Sequence, residues 1–210
     1  MIAVQTTEDE ITPHLTDRVS LAAVNGPTSV VISGDEDAVA EIAARFDKTK
    51  RLNVSHAFHS PHMDPMLEDF RAVAESLTYH APRIPLVSNL TGKPADQELT
   101  TADYWVRHVR QTVRFHDGLR TLETHGVTTH LELGPGGTLT ALAQEATDPD
   151  THTTHHPTLR HHHPEPHALT TALAALHVHG TPVNWHTYHH TTTHPVDLPT
   201  YAFQRQHYWP

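Results

Sequence analysis

The 210-residue chain contains no cysteine, and this absence excludes three kinds of chemistry. No disulfide, no thiolate metal site and no thiol nucleophile can form. Positive charge is also scarce, because 14 Lys and Arg stand against 24 Asp and Glu, for a formal net charge of -10. Proteins that bind nucleic acid normally carry a basic face, so the charge argues against that function.

Long apolar runs are absent as well. No run approaches the length of a membrane span, and the N-terminus lacks the charged-then-apolar layout of a secretory signal. We therefore expect a cytoplasmic protein with no membrane contact. With 37% hydrophobic residues, the chain can still build one or two small domains with cores of their own.

Histidine is abundant, and most of the 23 histidines lie from residue 151 onward among Thr and Pro. Neutral imidazole is a common metal ligand, so runs such as His155-His156 and His161-His162-His163 could chelate a divalent ion. A metal site needs ligands held in fixed geometry, however, and the pattern here is typical of a proline-broken loop. We predict that the chain has no physiological metal site.

Residues 1–54 predict the order strand, helix, strand, strand, helix, strand. Helix starts are indicated by Thr7 and Glu10, which have the spacing of a capping box, and by Asp35 before an amphipathic run. Apolar or β-branched runs predict the strands at residues 1–5, 19–24, 30–32 and 51–54. This βαββαβ order is that of the ferredoxin-like split unit.

Helices and strands alternate in the next part of the chain, as in proteins with a parallel α/β sheet. Strands are predicted at residues 85–90 and 130–133, and helices after Ser60, around residues 101–108 and 115–122, and from Thr138. Residues 148–163 are predicted to be linker. A helix with Leu169, Leu173 and Leu176 on one stripe should follow over residues 168–179, before an irregular tail.

The stretch Val54-Ser-His-Ala-Phe-His-Ser-Pro-His-Met63 places His59 just before a helix. Ser60 can cap that helix and Pro61 suits its first position. The positive end of the helix dipole disfavours the imidazolium, so His59 should stay neutral and able to accept a proton. A surface histidine, or a core histidine with its hydrogen bonds satisfied, would fit the same pattern. Apolar residues at helical spacing should pack this helix onto a core: Met66, Leu67, Phe70, Val73, Ala74 and Leu77.

The same stretch resembles the histidine motif of acyltransferase domains in modular type I polyketide synthases, relatives of malonyl-CoA:acyl carrier protein transacylase. Further similar segments follow the family's order: residues 23–27 with 30–34, 104–108, 131–136 and the linker-like 198–209. The resemblance implies an α/β fold in three parts. Residues 1–54 would be a ferredoxin-like small subdomain, 55–147 the C-terminal part of an α/β-hydrolase-like large subdomain, and 148–210 a post-acyltransferase linker with one short helix.

The resemblance also implies a reaction in which malonyl passes from malonyl-CoA to a serine and then to the phosphopantetheine thiol of an acyl carrier protein. His59 matches the base that activates the serine. A backbone carbonyl, which the motif places at His108, would orient its ring. The version of the motif associated with malonyl selection is carried by His56, Ala57 and Phe58, where Phe58 fills the space that an α-methyl group needs. No cofactor bound by the chain itself is expected.

The sequence departs from the family at the nucleophile. No serine has glycine at both the second preceding and the second following position, so the Gly-x-Ser-x-Gly elbow is missing. We therefore expect a C-terminal portion of an acyltransferase domain that begins within the family's domain and is inactive alone. Expected partners are the N-terminal half of the domain, an acyl carrier protein and, through Leu198–Trp209, the adjacent ketosynthase region. Asn25 matches a position lining the acyl-CoA cleft. The alternative is a truncated, catalytically inactive fragment that acts at most as a docking piece.

Overall fold

The computed structural model describes residues 1–189, 197, 200–202 and 209, and the chain divides into two compact units, residues 1–172 and 173–210. The boundaries predicted after residues 54 and 147 do not coincide with this division and stay predictions. The strands are Ile2–Val4 (β1), Val19–Gly26 (β2), Ser29–Gly34 (β3), Thr49–Arg51 (β4), Leu86–Val87 (β5), Pro94–Ala95 (β6), Thr129–Glu132 (β7) and Thr154–Pro157 (β8).

The α-helices are Glu8–Ile11 (α1), Glu36–Ala43 (α2), Leu67–Glu75 (α3), Ala102–Arg110 (α4), Phe115–Thr124 (α5), Thr138–Ala146 (α6), Glu165–Val178 (α7) and Trp185–His189 (α8). Short 3-10 turns span Thr12–His14, Pro61–Met66 and Gln97–Thr100. Among the described residues, no helix has both the length and the apolar composition that a membrane crossing requires.

The first four strands form one antiparallel sheet in the order β2-β3-β1-β4. Its elements follow one another as predicted for residues 1–54. The last strand begins and ends earlier than predicted, because β1 has only three residues and its register pairs Ile2 with Arg51 and Val4 with Thr49. All three residues of β4 are exposed, so it is a short polar edge strand, which discourages further strand pairing.

Two short helices cover one face of this sheet and bury its core. The predicted capping box of α1 is confirmed, since Glu10 N donates to Thr7 Oγ1 (3.2 Å) and Thr7 N donates to the Glu10 carboxylate (3.2 Å). Each fully buried Val, Leu or Ile contributes about 1.5–3 kcal/mol relative to an exposed one. The core contains Val4, Ile11, Val19, Leu21, Val24, Val30, Ile32, Ala38, Val39 and Ile42.

The prediction of a linker over residues 148–163 is wrong at residues 154–157. These residues form β8, which runs parallel to β7 with His155 opposite His130. The linker was predicted because this segment is rich in Pro and His. A strand can nevertheless contain Thr and His when it pairs with the edge of another strand, as β8 does with β7. The structure also has a helix, α8, in the tail predicted to be irregular, so the linker has more than one helix.

Two predicted apolar faces are arranged differently. Of the predicted apolar run over residues 66–77 only Ala74 is buried, whereas Val73 on α3 is 60% exposed and Leu77, just after the helix, is 57% exposed. Helix α3 contacts α4, but most of the run does not enter a core among the described residues. Helix α7 begins at Glu165 rather than at residue 168. Its buried positions are four residues apart and differ from the predicted leucine stripe: Ala168, Ala172 and Leu176 are buried while Leu169 is 36% exposed.

Candidate functional site

The loop before α3 is folded around a fully buried serine. Ser60 Oγ donates to the carbonyl oxygen of Ala57 (2.6 Å) and accepts from the backbone N–H of His62 (3.2 Å). The predicted capping role of Ser60 is therefore confirmed, with Pro61 in the first turn. The capped segment is a 3-10 turn that continues into α3, and Pro65 inside it lacks the N–H that a regular α-helix needs.

The backbone of His59 adopts a left-handed conformation, with φ of 57°. A residue other than glycine holds such a conformation at a cost, and it persists only where the surroundings fix it. His59 Nδ1 lies 2.7 Å from the carbonyl oxygen of Gln111. Because a carbonyl oxygen can only accept, Nδ1 carries the proton and Nε2 keeps its lone pair. The geometry leaves Nε2 as a base.

The orienting carbonyl belongs to Gln111, so the prediction of the His108 carbonyl is wrong. His108 lies inside α4, where carbonyl groups run along the helix axis. Gln111 follows the helix with extended backbone (φ -86°, ψ 166°), which turns its carbonyl away from that axis. The motif thus placed the acceptor about one turn too early.

Gln111 is held in place by the residues that follow it. Val113 exchanges backbone hydrogen bonds with β2, donating to Ala22 O and accepting from Val24 N, both at 2.9 Å. Thr112 Oγ1 donates to Leu21 O at 2.8 Å. The carbonyl that faces His59 is therefore anchored on the antiparallel sheet, and sequence reasoning missed this contact because it joins residues 52 positions apart.

Burial sets the charge of the two imidazoles in this region. It lowers the pKa of His59, and the hydrogen bond to the Gln111 carbonyl opposes the change only in part. The His108 ring stacks on Tyr104 with centroids 5.8 Å apart, and its pKa is lowered by burial and by the nearby His59. Both rings are therefore neutral near pH 7, as a base requires.

The residues matched to malonyl selection lie beside His59. Phe58 is 45% exposed, with its ring centroid 5.9 Å from that of His56 and 6.5 Å from that of His59. His56 is exposed and its Nδ1 lies 2.9 Å from Ser55 Oγ, while the carbonyl of Ala57 binds Ser60. The structure thus places these residues beside the His59 ring.

Asn25 lies elsewhere. It lines a cavity of about 560 Å³ between the β2-β3 turn and α6, and residues 54–63 are not part of that lining. A different cavity, of about 580 Å³, is lined by Gln111 together with Ser20, Arg110 and Arg114. The structure therefore does not bring Asn25 to His59.

Arg110 also holds the loop, and sequence reasoning missed it because its partners are distant in the sequence. Arg110 Nε donates to Asp64 Oδ1 at 2.5 Å and its Nη1 donates to Ser20 Oγ at 3.2 Å. These bonds join the turn after His59 to both α4 and β2. Within the part of the chain that the structure describes, no three His, Asp or Glu side chains come together as a metal site requires.

Comparisons with known proteins point to one family. A family model described as the acyl transferase domain matches residues 1–183. Polyketide synthase GfsA of Streptomyces halstedii is 48% identical over 220 residues, which span 100% of this chain and 3% of GfsA. Mycoketide-CoA synthase of Mycobacterium tuberculosis is 45% identical over 213 residues, spanning 100% of this chain and 5% of that protein.

Solved structures give the same result. The acyltransferase domain from the second module of the salinomycin polyketide synthase has a TM-score of 0.86 and 52% identity, covering 96% of this chain and 49% of that one. Malonyl-CoA:acyl carrier protein transacylase (FabD) of Xanthomonas oryzae has a TM-score of 0.70 and 26% identity, covering 83% and 56%. The chain spans about half of such domains and a small fraction of the curated synthases. It belongs to the acyltransferase-domain family of modular type I polyketide synthases.

Proposed function

We propose that this chain supplies the general base of a malonyl-selective acyltransferase in a modular polyketide synthase. The observation that carries the proposal is the hydrogen bond from His59 Nδ1 to the Gln111 carbonyl, 2.7 Å long, which leaves Nε2 unprotonated. Burial lowers the pKa of the same ring and keeps it neutral. A neutral, oriented imidazole is what a serine hydroxyl needs to become a nucleophile.

In the proposed reaction His59 Nε2 takes the proton of a serine hydroxyl as the serine oxygen bonds to the thioester carbon of malonyl-CoA. The carbon–sulfur bond then breaks, and the imidazolium returns its proton to the departing coenzyme A thiolate. In the second half of the reaction, the thiol sulfur of phosphopantetheine on an acyl carrier protein bonds to the malonyl carbon, and His59 Nε2 takes the thiol proton. The ester bond to the serine then breaks, and the serine oxygen takes that proton back. The chain needs no cofactor of its own for these steps.

The serine would come from a segment outside this sequence. The Gly-x-Ser-x-Gly motif is absent here, and the chain corresponds to about half of the solved acyltransferase domains. We propose that the N-terminal half of the domain provides this residue. Apolar side chains that a partner segment could cover support the idea, with Val73 60%, Leu77 57% and Leu133 81% exposed.

We further propose that residues 1–54 are the family's ferredoxin-like subdomain, a proposal that the antiparallel order β2-β3-β1-β4 supports. Residues 55–147 would be part of an α/β-hydrolase-like subdomain. The parallel pairing of β7 with β8 is in keeping with a parallel sheet, and it extends that sheet to residues 154–157, beyond the proposed boundary at 147. One edge of β7 pairs with no strand among the described residues, which leaves room for a strand of the missing half.

Phe58 is proposed to favour malonyl over methylmalonyl by filling the space beside His59, and His56 and Ala57 to shape the same wall. Asn25 is retained only as a proposed contact to a remote part of acyl-CoA, because its cavity is separate from the His59 loop. The strip Leu198–Trp209, proposed to meet the ketosynthase region, lies outside the described residues except for 200–202 and 209.

Intact-mass spectrometry after incubation with malonyl-CoA tests this function. The chain is measured alone, then mixed with a separately produced polypeptide that carries the Gly-x-Ser-x-Gly segment, and then as the His59→Ala variant in the same mixture. We expect a malonyl adduct only in the mixture, on the added polypeptide, and only with His59 present.

The other outcomes overturn parts of the proposal. An adduct on the chain alone would show that its own serines, such as Ser55, act as nucleophiles. An adduct that persists in the His59→Ala mixture would remove His59 as the base. No adduct in any sample would favour the alternative of a catalytically inactive fragment that only docks.

A further inference from the structure

Besides the Gln111 carbonyl and the Arg110–Asp64 pair, the loop that carries His59 has a further anchor that the proposed chemistry does not explain. His62 Nε2 lies 2.6 Å from Asp35 Oδ1. Asp35 occupies the N-cap position of α2, yet its side chain makes no capping hydrogen bond there. The sequence predicted Asp35 as a helix cap, and the structure instead turns its carboxylate toward the loop of the base.

The carboxylate of Asp35 is itself fixed. Arg18 Nε donates to Asp35 Oδ2 at 2.6 Å, and Arg18 Nη2 donates to both oxygens of Asp37 at 2.6 and 2.9 Å. Hydrogen bonds from His62 and then from Arg18 lower the pKa of Asp35, so it is ionised at neutral pH. His62 therefore meets a charged acceptor that is tied to the antiparallel sheet unit.

The position of His62 in the loop makes this anchor relevant to His59. His62 lies one 3-10 turn after His59, and its backbone N–H is bound by the buried Ser60 Oγ. His59 holds a left-handed backbone that neighbouring contacts must maintain. The Gln111 carbonyl fixes the ring, but it does not fix the turn on which His59 stands.

We propose that His62 is a positioning residue, which through its hydrogen bond to Asp35 holds the His59 turn so that the His59 ring stays bonded to Gln111. The inference rests on the proposed function of His59 as the base. The orientation of the His59 ring can, however, be measured without turnover. Both side chains are partly exposed, 47% for His62 and 36% for Asp35, so their replacement should leave the fold intact.

Nuclear magnetic resonance of the histidine ring nitrogens tests the claim on the full chain. In the wild type we expect His59 as the tautomer protonated at Nδ1, with its pKa below the ordinary value. His62→Phe and Asp35→Ala should each mix the tautomers of His59 and move its pKa toward the ordinary value. His62→Gln keeps a donor for Asp35 and should restore the wild-type signals.

Asp37→Asn is the matched control, because it removes an Arg18 contact on the same helix without touching His62. It should leave the His59 signals unchanged. Circular dichroism confirms that each variant is folded. If His62→Phe is folded and shows the wild-type tautomer and pKa of His59, the inference is wrong; if Asp37→Asn changes them as strongly, the effect is not specific to His62.

Transfer activity with the serine-bearing segment gives the second measurement. His62→Phe and Asp35→Ala should lower kcat about tenfold with KM for malonyl-CoA unchanged, since small displacements of a catalytic group reduce rate. The double variant should be no slower than either single variant, because both remove one interaction. Loss of all activity in the wild-type mixture would contradict the proposed function, whereas the ring-nitrogen spectra would still decide the role of His62.

Discussion

The His59 imidazole is oriented by a neutral carbonyl rather than by a carboxylate. A carboxylate partner would stabilise the imidazolium and raise the pKa of the ring. The Gln111 carbonyl fixes the tautomer with a much smaller effect, so burial prevails and the pKa of His59 is lowered. At pH 7 the ring is therefore ready to accept a proton without first losing one.

Replacing the Gln111 side chain should matter little, because the atom that binds His59 belongs to the backbone. We expect Gln111→Ala to transfer malonyl in the reconstituted mixture at nearly the wild-type rate. His59→Ala should lower the rate about 100- to 10,000-fold, the usual contribution of a general base. His108→Ala should be milder than His59→Ala. A single-turnover assay measures these rates. If Gln111→Ala lowered the transfer rate as much as His59→Ala, the assignment of the Gln111 backbone carbonyl as the orienting group would be contradicted.

Phe58 is expected to bias the choice of extender unit and not to dictate it. One methyl group changes binding in an apolar pocket by only about 1–3 kcal/mol. We expect Phe58→Ser combined with His56→Tyr to relax selectivity toward methylmalonyl-CoA without reversing it. Competition between the two thioesters in one reaction measures the ratio. The proposed role of Phe58 fails if that ratio is unchanged while total activity is retained.

At the level of elements, the unexpected strand β8 brings two histidines together. The rings of His130 and His155 stack with centroids 4.7 Å apart and planes 10° apart. Burial lowers the pKa of both; the nearby Glu123 raises that of His130 only in part, and His130 and His156 lower that of His155 further. The pairing of β7 with β8 therefore holds two neutral imidazoles.

These pKa values make stability depend on pH. In the unfolded chain both rings bind protons as the pH falls through the ordinary value of 6.5, whereas the folded chain resists protonation until a lower pH. Stability is therefore fully present above 6.5 and declines below it. We expect His155→Phe, which keeps the ring stack, to weaken this decline, and His152→Phe, at an exposed position, to leave it unchanged. Urea unfolding at several pH values measures the slopes, and equal slopes in the wild type and His155→Phe would exclude this role.

The end of β3 has no room for a side chain. A Cβ on Gly34 would lie 2.0 Å from Arg18 O and 2.9 Å from Val19 Cα, which are both backbone atoms. We expect Gly34→Ala to lower the free energy of unfolding by about 3 kcal/mol, at the upper end of overpacking effects. Gly126 has φ of 77° but open space around it, so Gly126→Ala should cost only about 1–2 kcal/mol from its backbone conformation. Chemical denaturation compares the two, and similar losses would show that the backbone at Gly34 relaxes.

At the scale of the whole molecule, exposed apolar side chains are concentrated in residues 54–139. Where such side chains are contiguous on a surface, they mark a place where another polypeptide can bind. The side chains concerned are Val54, Phe58, Met66, Val73, Leu77, Ile84, Leu86, Trp105, Leu131, Leu133 and Leu139. Their exposure agrees with a chain that spans half of the solved acyltransferase domains.

Charging this surface should block assembly with the proposed serine-bearing half. We expect the double substitution Val73→Glu with Leu77→Glu to abolish complex formation, because two buried carboxylates without partners are strongly unfavourable. Glu75→Lys, on the opposite side of α3, is the matched control and should assemble normally. Size-exclusion chromatography of the mixtures provides the measurement. Wild-type assembly by the double variant would show that α3 is not part of the contact.

Local signals in the sequence determined much of this protein. The capping box at Thr7 and Glu10, the cap at Ser60 and the order of elements in residues 1–54 depend on neighbours a few residues apart, and the structure confirms them. The position of His59 before its helix follows from the same short-range chemistry. The helical spacing of apolar residues did not predict which side chains of α3 are buried, because burial depends on which other elements cover that face.

Only the tertiary structure decided which atoms surround the His59 ring. The Gln111 carbonyl, the Asp35 carboxylate and the pairing of β8 with β7 all join residues that are distant in the sequence. Such contacts depend on how whole elements pack, and no local pattern encodes them. The sequence by itself therefore pointed to His59 as the candidate base, while the fold determined which carbonyl its ring meets and which side chains contact its loop.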